Sequence, residues 1–153
     1  MLMKSRAQLE AVLAGRMLPI ARRWRALADR ALDGLDVSSS LAWTLIQVGR
    51  MGGEARQTDL ARALEISDPS LVRILDQLAK DDLLTRAVDA GDRRVRRVAL
   101  TEAGRALVLS VEEVLASLRR RLLGDVADGE LATAVSVLER IGDAVAPEET
   151  TDG

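Results

Sequence analysis

Cysteine, histidine, phenylalanine and tyrosine are all missing from this chain of 153 residues. Without cysteine there can be no disulfide framework and no thiol redox switch. Without histidine the commonest general base and the commonest metal ligand are gone, so catalysis would have to rest on carboxylates, Ser, Thr or two lysines. No phosphate-cradling glycine loop or metal-ligand spacing offsets that loss, so neither an enzyme nor a metal or other cofactor is expected. No apolar run approaches the length of a membrane span, and Met1-Leu2-Met3-Lys4-Ser5 lacks the apolar segment of a secretory signal. The expectation is a cytoplasmic protein with no membrane partner.

Apolar residues make up 48% of the chain, enough for a core, and its length suits one compact head with a helical dimerisation region. The net charge of −2 is the wrong sign for a partner of polyanions until the charge is localised. Residues 83–97 hold Arg86, Arg93, Arg94, Arg96 and Arg97 against only Asp89 and Asp92, a local charge of +3. The tail after Ile141 carries Asp143, Glu148, Glu149 and Asp152 and no basic residue. The distribution of charge says more than the sum.

Leu9, Val12, Leu13, Ile20, Trp24, Leu27, Ala31 and Leu35 have the spacing of one helical face. Pro19 inside that pattern predicts either a kink or a late start. Ser38-Ser39-Ser40 offers caps for a helix through Leu41, Trp43, Leu45, Val48 and Met51, which Gly52-Gly53 ends. A short helix from Gln57 or Thr58 to Leu64 follows, then a turn at Glu65-Ile66-Ser67, with Ile66 plugging the space between helices. Ser67 or Asp68 caps the next helix, Asp68–Asp81, with Pro69 tolerated in its first turn.

In that helix Leu71, Leu75 and Leu78 share a narrow arc, while Pro69, Ser70, Arg73, Asp76, Gln77 and Lys80 line the opposite one. Two strand-like runs, Leu83–Val88 and Val95–Leu100, meet at Asp89-Ala90-Gly91-Asp92-Arg93-Arg94. Thr101 can cap a long helix with Leu107, Val111, Val114, Leu115, Leu118 and Leu122 on one face. Asp128 can cap a last one through Leu131, Val135, Leu138, Ile141 and Val145, ended by Pro147. The first helix and the last two carry apolar stripes that a head of this size does not cover. A second copy of the chain is the expected cover, with a monomeric bundle as the alternative.

A groove-sized helix followed by an arginine-tipped hairpin suits double-stranded DNA. Arg73 and Gln77, one turn apart, match guanine and adenine edges, and Ser70 and Lys80 suit phosphates. Arg93 and Arg94 at the hairpin tip can enter a narrow minor groove. Asp92 repels phosphate, so its expected task is to pair with Arg73 or Arg94 and fix that arginine's direction. Each of these residues also fits an ordinary solvated surface.

The run Pro69-Ser70-Leu71-Val72-Arg73-Ile74-Leu75-Asp76-Gln77-Leu78, then Leu83-Leu84-Thr85-Arg86, Asp92-Arg93-Arg94 and Leu100-Thr101-Glu102 resembles the MarR family of winged helix–turn–helix regulators, most closely its SlyA branch. The similarity spans about residues 38–146. It implies a homodimer with interlocked terminal helices and two winged heads on a palindromic operator, acting most often as a repressor. By that resemblance Arg73 and Arg94 correspond to DNA-contacting arginines, Asp92 to the aspartate that supports them, and Ser70 to a recognition-helix contact. The sequence departs from the family at Asp82, where a glycine is usual, and at Val72, where a threonine or similar residue is common.

Many relatives release DNA when a small aromatic acid or phenol enters a cleft beside the head. Trp24, Trp43 and Arg23 are the candidates for such an effector cleft. The tryptophans also suit plain core filling, and Arg22, Arg23 and Arg25 a wet face.

The expected fold is mainly α with a small two-stranded β-wing. Residues 1–36 form an N-terminal dimerisation helix, 37–100 a winged helix–turn–helix head, 101–146 C-terminal dimerisation helices and 147–153 a disordered tail. The rival to a DNA-binding regulator is a winged-helix module that binds another protein.

Overall fold

The computed structural model describes residues 5–146. Helix α1 (Arg6–Leu32) opens with a capping box: Ser5 Oγ accepts from the Gln8 N–H at 3.3 Å, and Gln8 Oε1 accepts from the Ser5 N–H at 2.8 Å. It runs unbroken through Pro19, so the late start is not taken. Proline removes the N–H that would reach the Gly15 carbonyl. Gly15 lies on exposed helix surface, where water can take that acceptor. Helix α2 (Ser39–Arg50) is capped by Ser38 and ends at Gly52 and Gly53, whose φ values of +93° and +91° are those that favour glycine.

The chain then departs from expectation. Glu54–Arg56 forms a strand, β1, which makes the two-stranded wing a three-stranded antiparallel sheet. The other strands are β2 (Leu84–Val88) and β3 (Arg96–Leu100), in the order β1-β3-β2. The glycine turn delivers Glu54, Ala55 and Arg56 to the free edge of β3 opposite Ala99, Val98 and Arg97, and the Leu100 N–H donates to the Gly53 carbonyl at 2.8 Å. Ala55 and Val98 face the core. Three residues are too few to show a strand's alternation in sequence.

Helix α3 (Gln57–Leu64) ends at Glu65, which takes a left-handed φ of +54°. Helix α4 (Asp68–Lys80) is capped by Ser67, with Pro69 in its first turn. Leu71, Leu75 and Leu78 are fully buried against Leu45, Val48, Leu60, Leu84, Val98 and Leu100, with Ile66 packed alongside. Each such leucine contributes roughly 1.5–3 kcal/mol by leaving water. Residue Asp82, just past α4, has φ +56°, so aspartate takes the left-handed position where the resembling family usually has glycine.

Helix α5 (Glu102–Leu123) starts where Thr101 Oγ1 accepts from the Gly104 N–H at 3.0 Å and donates to the Asp82 carbonyl at 2.6 Å. Its apolar face corrects an expectation. Val111, Leu115 and Leu118 do not wait for a second copy; they are buried with Ala28 and Leu32 of α1 and Ala42 and Ile46 of α2. Trp43 Nε1 donates to Asp29 Oδ1 at 2.8 Å, which further binds α1 to α2.

Residues through Leu118 form one compact unit, and residues from Arg119 a second. In the second lies helix α6 (Asp128–Val145), which buries none of its residues. Its cap is Ala127, not Asp128. The Glu130 carboxylate reaches back to accept from the Ala127 N–H at 3.2 Å, while alanine offers the first-turn N–H groups no side-chain acceptor. Pro147 and the tail 147–153 lie outside the described residues.

Candidate nucleic-acid interface

The connection between β2 and β3 is built by two aspartates. Asp89 Oδ1 accepts from the backbone N–H groups of Gly91 and Asp92 at 2.9 and 3.2 Å. Its Oδ2 takes Arg97 Nη1 at 3.2 Å, and Arg97 Nη2 continues to Glu54 Oε1 at 3.2 Å. Asp92 Oδ1 accepts from the Arg94 N–H at 3.0 Å and from its Nε at 3.2 Å, and Nη2 reaches Oδ2 at 3.4 Å. The partner of Asp92 is thus Arg94 and not Arg73.

Both carboxyls are held below their ordinary range. For Asp89 the main cause is the N–H groups of Gly91 and Asp92, aided by Arg97; for Asp92 it is the N–H and then the guanidinium of Arg94. The outcome is a tip whose turn is fixed by ionised groups while the Arg94 side chain stays 91% exposed and aimed by Asp92.

On α4 the polar arc is less uniform than its sequence. Arg73 and Lys80 are exposed and have no hydrogen-bond or ion-pair partner among the described residues. Ser70 is half-buried and accepts a hydrogen bond from the Ser67 hydroxyl at 2.9 Å, so it also stiffens the helix start. Gln77 Nε2 is turned along the helix and donates to both Asp81 oxygens at 3.0 and 2.9 Å, which leaves only Oε1 uncommitted.

Not all five arginines near the wing are alike. Arg93 and Arg96 are exposed and unpartnered among the described residues. Arg86 instead pairs with Asp76 and with Gln57, and Arg97 with Asp89 and Glu54. These framework roles were not visible beforehand, because Gln57 lies 29 residues from Arg86 and Glu54 lies 43 from Arg97. The resulting surface sets exposed guanidiniums and an ammonium on one helix face and one hairpin tip. Such groups pair with phosphates and base edges.

A separate cleft of about 370 Å³ opens between α1, α2, α3 and α4. Trp43, Arg25, Gln47, Arg50, Ile66 and Ile74 are among its walls. The Arg25 guanidinium carbon stands 4.1 Å from the centre of the Trp43 ring and pairs with Asp29. Trp24 and Arg23 are not among the lining residues, so of the three candidates only Trp43 is brought to this cleft. Among the described residues, no cluster of three or more acidic side chains is placed to hold a metal ion. No helix there is long and apolar enough to cross a membrane.

Residues 35–95 match the model of the MarR family. The solved structure of transcriptional regulator PA3341 is 30% identical, with 86% of this chain and 96% of that one covered and a TM-score of 0.76. The chain belongs to the MarR family. It is a DNA-binding transcriptional regulator and not an enzyme. The MarR fold also aligns with S. aureus MepR in its DNA complex, at 23% identity over 86% and 96% of the two chains and a TM-score of 0.72. The organohalide-sensing regulator RdhR in its 2,4-dichlorophenol-bound form aligns at 19% identity over 94% and 85%, with a TM-score of 0.74.

Proposed function

We propose that this MarR-family regulator acts as a cytoplasmic homodimer on a palindromic operator and represses transcription there. Helix α4 enters the major groove. Arg73 reads a base edge, Gln77 a second once released from Asp81, and Ser70 and Lys80 hold phosphates. The wing tip enters the adjacent minor groove with Arg94, aimed by Asp92, and Arg93 contacts the backbone. The observation that carries this reading is the combination of an exposed, carboxylate-oriented Arg94 at the tip with an Arg73 on α4 that has no partner among the described residues.

The dimer is supported by two exposed apolar stripes, each on its own helix: Leu9, Leu13, Met17 and Ile20 on α1, and Val135, Leu138 and Val145 on α6. In this division of labour residues 37–100 are the DNA-binding head, while 1–36 and 101–146 serve dimerisation besides completing the core. The cleft beside Trp43 suits a small aromatic acid or phenol: Trp43 offers an aromatic wall, and Arg25 and Arg50, paired with Asp29 and Glu112, offer guanidiniums that an acidic group would share with those carboxylates. Binding of 2,4-dichlorophenol by RdhR supports that class of effector.

The test is fluorescence anisotropy with the duplex upstream of the protein's own gene, a shuffled duplex and the Arg94→Ala variant, at two salt concentrations. Tight, salt-sensitive binding that both controls weaken is expected. No binding at low salt would reject the reading and favour a module that binds another protein.

A further inference from the structure

Asp76 is an awkward residue for a helix face that meets a polyanion. It lies on the same exposed arc as Arg73, where a bare carboxylate would repel phosphates. The structure gives it a partner. Arg86, in the middle of β2, donates from Nη1 to Asp76 Oδ1 and from Nη2 to Gln57 Oε1 at 3.2 Å. The Arg86 side chain is only 33% exposed, against 91% for Arg94. Its three attachments belong to different parts of the head: β2 leads into the wing, Asp76 sits one turn after Arg73 on α4, and Gln57 begins α3.

We infer that the Arg86 guanidinium is a strut, a positioning residue that fixes the recognition helix relative to the wing through Asp76 and Gln57 and is not itself a phosphate contact. The strut rests on the DNA-binding reading above. It sets the separation along the duplex between the base edge met by Arg73 and the groove met by Arg94. A guanidinium suits the task because its terminal nitrogens serve two diverging acceptors at once. A lysine ammonium on a flexible stem keeps the charge but loses that planar fork. Asp76 then acts as the anchor of the strut on α4, and its negative charge is neutralised where it would otherwise face DNA.

The strut and a simple phosphate contact predict opposite signs. If Arg86 served phosphate and Asp76 merely competed for it, Asp76→Asn would free the arginine and tighten binding. If Arg86 is the strut, Asp76→Asn removes a negative charge from the DNA-facing arc and still weakens binding. The experiment measures affinity for the upstream duplex across a range of salt, alongside thermal melts of each full-length variant. Expected are losses of about three- to tenfold for Asp76→Asn and for Arg86→Lys, with the salt slope unchanged. The double variant should lose no more than the worse single one, because both break one unit. A melt well above the assay temperature separates this loss from unfolding, and Gln57→Ala supplies a milder third probe that should weaken binding in the same direction.

Tighter binding by Asp76→Asn, wild-type affinity in Arg86→Lys, or a salt slope reduced by about one in Arg86→Gln would each overturn the strut. Wild-type protein that fails to bind the duplex at low salt overturns the DNA-binding reading and the strut with it. A wild-type complex with indifferent variants overturns the strut alone.

Discussion

At the scale of single residues, Arg73 and Arg94 separate by what surrounds them. Arg73 has no partner among the described residues, whereas Arg94 is gripped by Asp92 through its backbone N–H and its guanidinium. Arg73→Ala is expected to cost roughly 1–3 kcal/mol and to relax discrimination at one operator position per half-site. Equal weakening on every duplex would contradict base reading. Arg94→Ala should instead weaken binding across sequences and reduce the salt slope by about one.

Asp89 and Asp92 add a pH signature. Their folded-state pKa values are depressed, so the order they confer is fully present above the ordinary aspartate value near 3.9. It is lost only as pH falls through the lower folded values. Amide resonances of Gly91, Asp92 and Arg94 are therefore expected to stay constant from neutral pH to about 4.5, with their acid transition below 3.9. A transition centred near pH 6 would show that these carboxylates do not hold the turn.

At the scale of elements, the legible parts of the sequence were those whose cause is local. Leu71, Leu75 and Leu78 announce the buried face of α4 by spacing alone, and the cap candidates Ser38-Ser39-Ser40 and Ser67-Asp68 bracket where α2 and α4 begin, with Ser38 and Ser67 taking the caps. Asp82 was legible as a left-handed residue because a resembling family places glycine there. Strand β1 was not legible, because Glu54–Arg56 becomes a strand only through pairing with β3, far along the chain. Leu115 and Leu118 show a third limit: periodicity identifies an apolar face but not which surface covers it. The candidate residues of the interface were legible by type, whereas the acceptors that orient or restrain Arg86, Arg97 and Gln77 were not.

Gly104 gives an element-scale prediction. A Cβ at this position would lie 1.9 Å from the Leu83 carbonyl oxygen, which the backbone fixes. Gly104→Ala should lift α5 from the turn after α4 and cost ~1–3 kcal/mol despite alanine's better helix propensity. A denaturant melt that finds the variant as stable as the parent would remove this close approach as a constraint.

At the scale of the whole molecule, the division between core and uncovered surface decides how dimerisation must be tested. Charged substitutions at Leu115 and Leu118 would strike the chain's own core and unfold it, since each is only 4% exposed. Leu9 and Leu13 on α1 are 55% and 43% exposed, so Leu9→Glu with Leu13→Glu leaves the head intact. That double variant is expected to sediment as a monomer with native helical content and to bind an operator far more weakly, through loss of one head's contribution to the other. A dimer of normal stability in this variant would place the interface elsewhere.

The Gln77–Asp81 bond has a consequence for affinity. The side chain that could donate to a base is stowed against its own helix until something displaces it. A duplex that offers no partner to the amide would leave it stowed, at no cost to contacts between arginine and phosphate. A matching base must offset the loss of that exposed bond, about 0.5–1.5 kcal/mol, so on the DNA-binding reading the bond weakens only the matched complex. Asp81→Ala should then tighten binding to the native duplex by more than to a shuffled one, as read by anisotropy.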